Sequence, residues 1–209
     1  NRGLFDDYEA VEQVGVLFTQ TTAGFAAPYY SPVKQVCANL VTQQIPFGFA
    51  VAGDENLANR LTGGEAARFE VMLIPEPIRL IDGQQAIVER WKEAGRAITV
   101  APGDDVAARL KGRIEPWVAL ESRSDVWLFP RAKRADPAAP LVCHVVGPVY
   151  DQAANRTHPQ SEVTVRMRST LLGGRLVRNI TYHTIGREPL ELTATSERGD
   201  IRVTIPAVD

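Results

Sequence analysis

Residues 69–102, "FEVMLIPEPIRLIDGQQAIVERWKEAGRAITVAP", constrain the fold more than any other stretch. Two short apolar runs, "VMLIP" and "AITVAP", flank a segment with helical spacing. An apolar run of this length, with no polar alternation, suits a strand covered on both faces, as in a parallel sheet. Asp82 followed three residues later by Gln85 has capping-box spacing. Ile87, Val88, Trp91 and Ala94 then make an apolar helix face, and Gly95 supplies a left-handed stop.

The same rhythm runs through the preceding residues. "VGVLF" (14–18) and "FGFAVAG" (47–53) read as further covered strands. Between them, "SPVKQVCANLVTQQ" predicts a helix with Ser31 as N-cap and Pro32 at the first helical position. Val33, Val36, Cys37, Leu40 and Val41 form its apolar stripe. "GDD" at 103–105 predicts the start of a further short helix, "VAARL". Strands alternating with helices and short loops imply right-handed crossovers in a parallel sheet. The expected class is therefore α/β, a doubly wound amidotransferase- or flavodoxin-like domain over residues 14–116, with residues 1–13 as a connection from an upstream domain.

Beyond residue 117 the period changes to two. Val163, Val165 and Met167 alternate with polar residues, as do Leu190, Leu192 and Ala194, and Ile201, Val203 and Ile205 after the turn "ERGD". With "VWLFP" (126–130), "LVCHVV" (141–146) and "NITYHTI" (179–185), they predict a small antiparallel β-sandwich over residues 117–209.

Composition bounds the function. A chain of 209 residues with 44% apolar content has enough material for real cores. A net charge of −2 argues against a nucleic-acid partner. No apolar run approaches the ~20 residues of a membrane-spanning helix. The compartment stays open, cytoplasmic or secreted.

Chemistry is sparse. An amidotransferase-type site needs a cysteine on the strand-to-helix turn where backbone N–H groups converge, and the matching turn, "IPEPIRLID", holds none. Cys37 falls on a helix stripe and Cys143 in a strand, so both read as core. Cys143 and His144 are neighbours in a strand and point to opposite faces. The histidines, His144, His158 and His183, show no metal-ligand spacing, and no phosphate-cradling glycine motif follows any strand, so neither metal nor cofactor is expected. Glu76 is the one candidate at the carboxyl end of a parallel strand, the edge where such sheets bind ligands. Tyr29, Tyr30, Trp117 and Trp127 are candidates for an interface or for stacking on carbohydrate.

Residues 14–53 and 69–102, together with "LVCHVVGPVYD" (141–151) and the ending "ERGDIRVTIPAV", resemble the C-terminal region of family-42 beta-galactosidases and related glycoside hydrolases. "EAGRAI" stands where those proteins carry a double glycine, and Gly147 stands where they carry an asparagine. The resemblance implies a trimerisation domain of class I glutamine amidotransferase-like fold without the catalytic cysteine, followed by a small β domain. It also implies an oligomeric full-length enzyme whose catalytic carboxylates lie in an upstream barrel. No catalytic residue is carried over to this chain.

Overall fold

In the computed structural model the described residues are 7–19, 27–54, 56–57, 60–122, 126–133, 135–136, 138–147, 150–153, 155–157, 160–184 and 186–208. The chain divides into two compact units. One is Val11–Glu115; the other joins Asn1–Ala10 to Pro116–Asp209. Thus the N-terminal segment, expected as a connection, supplies strand β1 (Glu9–Ala10) to the second unit.

The first unit runs β2 (Val14–Thr19), α1 (Ala27–Thr42), β3 (Phe47–Ala52), β4 (Val71–Pro75), α2 (Asp82–Glu93), β5 (Ala97–Val100) and α3 (Val106–Leu110). Its strands form one parallel sheet in the order β3-β2-β4-β5. Both faces are covered because the strands are apolar on both sides. On one face Val14, Val16, Val71 and Leu73 pack with Val36 and Leu40 of α1 and with Val106 and Leu110 of α3. On the other, Leu17, Ala50, Met72 and Ile74 pack with Val88 and Trp91 of α2.

The helix ends differ from their sequence signals. α1 begins at Ala27, so Pro32 lies inside the helix and not at its first position. Pro32 comes little more than a turn after the start, where only one backbone bond is forgone. The capping box at Asp82 does not form: Ile81 is the N-cap, with no side-chain cap bond. Gln85 instead donates to Glu89 at 2.7 Å. Ala94 is exposed, and its expected place on the buried face is taken by Gln84, which donates to the Gly53 carbonyl at 2.9 Å. Asp105 does cap α3, accepting from the Ala107 and Ala108 amides, and Gly95 adopts a φ of +68° after α2.

The second unit is antiparallel. β6 (Val118–Leu120), β7 (Trp127–Ala132) and β8 (Val142–Val146) are followed by the short pair β9 (Tyr150–Asp151) and β10 (Arg156–Thr157). Then come β11 (Gln160–Arg168), β12 (Ile180–Tyr182), β13 (Leu190–Leu192), β14 (Ala194–Glu197) and β15 (Asp200–Val208). The larger sheets have the orders β1-β7-β8 and β14-β15-β11-β6; β9 pairs with β10 and β12 with β13. Val118, Leu128, Val163, Val165 and Ile205, drawn from both larger sheets, share one core. Arg198 and Gly199, with φ of 52° and 85°, close the β14–β15 hairpin as a primed turn, whose twist matches that of its strands. Leu190, expected to face inward, is 46% exposed.

The expected class therefore needs correction. The molecule is mostly β, its sheets are mainly antiparallel, and it is not a doubly wound α/β domain. A doubly wound domain places a helix on each crossover. Here the β3–β4 connection carries among its described residues a 3-10 turn, Glu65–Arg68, in place of a helix, and α3 has five residues. The parallel sheet stops at four strands, whereas the antiparallel strands continue to the end of the chain.

Candidate functional site

The carboxyl ends of the parallel strands are the first place to look for chemistry. β4 ends at Pro75, and its continuation is tied down by the Glu76 amide, which donates to Val100 at 2.8 Å. Glu76 itself is exposed. After β5, a shallow surface cleft lies between Gln35 and Asn39 of α1 and Ala101, Pro102 and Asp104. Its one carboxylate is engaged locally: Asp104 accepts from the Ala101 amide at 3.0 Å and from Arg109 at 2.8 Å. Those bonds hold the Asp104 carboxyl below its ordinary range. This edge is built to close a turn.

The thiols are equally committed to packing. Burial pushes Cys37 up to about 11 and Cys143 up to about 12. A nucleophilic cysteine needs the opposite displacement. Both thiols are therefore expected to resist iodoacetamide at neutral pH in the folded chain and to react at once in denaturant. Mass spectrometry of the alkylated protein checks this. Rapid labelling of either in the native state would contradict its packing role.

The interface candidates fall in different places. Tyr30, in the first turns of α1, is 53% exposed. The backbone of Tyr29 belongs to α1, and its side chain lies outside the described residues, as does His158. Trp117 is half-buried against the antiparallel core. Trp127 is 41% exposed on β7. Among the described residues no group of three His, Cys, Asp or Glu side chains is placed to hold a metal ion, and no helix is long and apolar enough to cross a membrane.

Two exposed apolar surfaces went unnoticed in the sequence. On the β7–β8 ladder Trp127 pairs with Val146 and Phe129 with His144, so these four share the outer face. His144 is held below its ordinary pKa by burial and then by the nearby positive charge of Arg131. The unfolded chain thus takes up this proton more readily, and stability rises with pH across the gap. The urea midpoint is expected to fall as pH drops below about 6.5, the ordinary histidine value, and to fall less in His144→Gln. Equal pH profiles for the two proteins would contradict the assignment.

The second surface is the free side of β3. Phe49 stands edge-on to Phe47 at 5.8 Å and to Phe18 at 6.3 Å, and it is 44% exposed. Gly48, between the two rings, leaves room for the Glu12 carboxylate, which a Cβ there would meet at 2.2 Å. Glu12 in turn pairs with Arg68 at 2.8 Å. The paired phenylalanines of "FGFAVA" were the available signal. Comparison with family models, with curated proteins and with solved structures returns no match.

Proposed function

We propose that the chain is a non-catalytic module of a carbohydrate-active glycoside hydrolase, serving oligomerisation and the support of an upstream catalytic barrel. The observation that carries this reading is the aromatic edge of the first unit. Phe49 sits exposed on an edge strand with no charged residue, where a protein surface gains most from contact. The exposed Tyr30 on α1 is a further anchor of the kind enriched at interfaces. The sequence motifs that resemble the C-terminal region of family-42 beta-galactosidases supply the enzyme class. The half-buried thiols, raised in pKa, are consistent with a scaffold role.

Two assays test the proposal. Incubation of the 209-residue chain with aryl glycosides and with glutamine is expected to give no turnover above a heat-denatured control. Light scattering across the micromolar range is expected to give a mass above that of one chain. Turnover would overturn the non-catalytic half, and a monomer throughout would overturn the assembly half. A second reading, carbohydrate binding, draws on the outer face of β7, where Trp127 and Phe129 lie two residues apart beside His144. Rings of that spacing can stack on the apolar faces of sugars. Quenching of tryptophan fluorescence by soluble oligosaccharides, lost in Trp127→Ala, would favour it.

A further inference from the structure

β3 is the longest edge strand in the described sheets, six residues reading "FGFAVA". Natural proteins guard such edges with lysine, proline, bulges or shortness. β3 has none of these within its length. The other edge of the same sheet, β5, is shorter, at four residues.

The direction of the main-chain groups follows from one hydrogen bond. The Val14 amide donates to the Pro46 carbonyl at 3.0 Å, and Val14 is paired with Phe47. In a parallel ladder this places the groups of positions 46, 48, 50 and 52 toward β2. Burial agrees: Ala50 and Ala52 have no accessible surface, main chain included. The N–H and C=O groups of Phe47, Phe49 and Val51 therefore point away from the sheet, where no described strand meets them.

From this geometry we infer that two copies of the chain join edge to edge through β3, antiparallel about a twofold axis at Phe49, making one continuous sheet. The pairing rests on the assembly role proposed above and names its partner and its surface; its twofold axis closes a dimer, a symmetry different from the trimer that the resemblance implies. With Phe49 opposite Phe49 of the second copy, Phe47 faces Val51 and Val51 faces Phe47. All are outward-pointing positions, so each pair exchanges both N–H···O bonds. The register is self-complementary, as a twofold interface requires.

Side chains agree with the same register. Directly opposed residues in an antiparallel pair share a face. Phe49 thus meets its counterpart on the face that carries α1, where Phe18 and Phe47 already stand edge-on to it. On the other face the opposed positions are Gly48 and Ala50, and the Glu12 carboxylate that lies against Gly48 is neutralised by Arg68. No charge lies on the strand, and a net charge of −2 per chain offers little repulsion between copies.

Proline separates this contact from the fold. Val51→Pro removes an N–H that the sheet does not use, as edge prolines do, so it should fold with unchanged circular dichroism. It should nevertheless weaken association by roughly tenfold or more, through lost main-chain bonds. Phe49→Lys, which sets two like charges across the axis, serves if the proline variant does not fold. Mild oxidation of Phe49→Cys should give a covalent dimer, while the equally exposed Leu57→Cys should not. The native thiols, half-buried and raised in pKa, should stay silent in that experiment. Sedimentation velocity and non-reducing electrophoresis read these results. An oligomeric chain unaffected by Val51→Pro and Phe49→Lys, with no Phe49→Cys cross-link, would overturn the strand pairing and leave assembly standing. A wild-type chain that sediments as a monomer throughout would overturn both.

Discussion

Trp91→Ala is expected to destabilise the first unit by about 3–5 kcal/mol, the usual cost of emptying a large aromatic site. Trp91 is 5% exposed on α2 and fills the space between that helix and Leu61, Phe69 and Met72. Its indole N–H also donates to the Gly63 carbonyl at 3.1 Å, securing the loop that replaces a helix on the β3–β4 crossover. Removing the ring leaves both a cavity and a carbonyl without that donor. Trp91→Phe keeps much of the volume and should recover most of the loss. Urea unfolding followed by far-ultraviolet circular dichroism measures both variants. A loss in Trp91→Ala below about 1 kcal/mol, the range of ordinary surface changes, would contradict the packing described.

Val165→Asp is expected to cost at least about 4 kcal/mol, because it places a carboxylate with no cation partner in a dry core. Val165 is 3% exposed and lies on β11, paired with Val203 on one side and Leu120 on the other. Val118, Leu128 and Ile205 belong to the same apolar cluster. The second unit should therefore lose cooperative unfolding at neutral pH and regain part of it in acid, where the carboxyl is neutral. Thr164, the preceding residue, faces the other side of the strand and bonds Thr204 at 3.2 Å. Thr164→Asp should be mild by comparison, and near-equal losses at the two positions would contradict the assigned faces.

Much of the fold was legible because burial leaves a period in the sequence. The covered strands β2, β4 and β5 read as unbroken apolar runs, and β11 and β15 as strict alternation. The class was misjudged for a physical reason. Apolar runs and amphipathic helices are strong signals, so the parallel sheet dominated the reading. Strands of two residues, such as β1, β9 and β10, carry too few alternations to register. The absent crossover helix was hidden likewise, because Gly63 and Gly64 allow a loop without announcing one.

The site was less legible than the fold. Local signals located Glu76 and Tyr30, and both are exposed, but exposure at one residue does not define a surface. Whether "FGFAVA" lies at the centre or the edge of a sheet depends on strand order, and strand order is set by contacts between residues far apart in sequence. Trp127 was singled out for its ring. Phe129, two residues on and on the same face, escaped notice because an alternating strand has one wet side, which is ordinarily polar. Cys37 and Cys143 were correctly placed among packed residues by their neighbours' periodicity.

Amide hydrogen exchange resolved by residue, at low and at high micromolar concentration, tests the assembly account most directly. Gly48, Ala50 and Ala52 should be protected at both concentrations, since their amides bond to β2 within a single chain. Phe47, Phe49 and Val51 should exchange freely when dilute and become protected when concentrated, as the second copy satisfies their outward amides. Exchange at these three positions that is the same at both concentrations, in a chain that stays monomeric, would contradict the account.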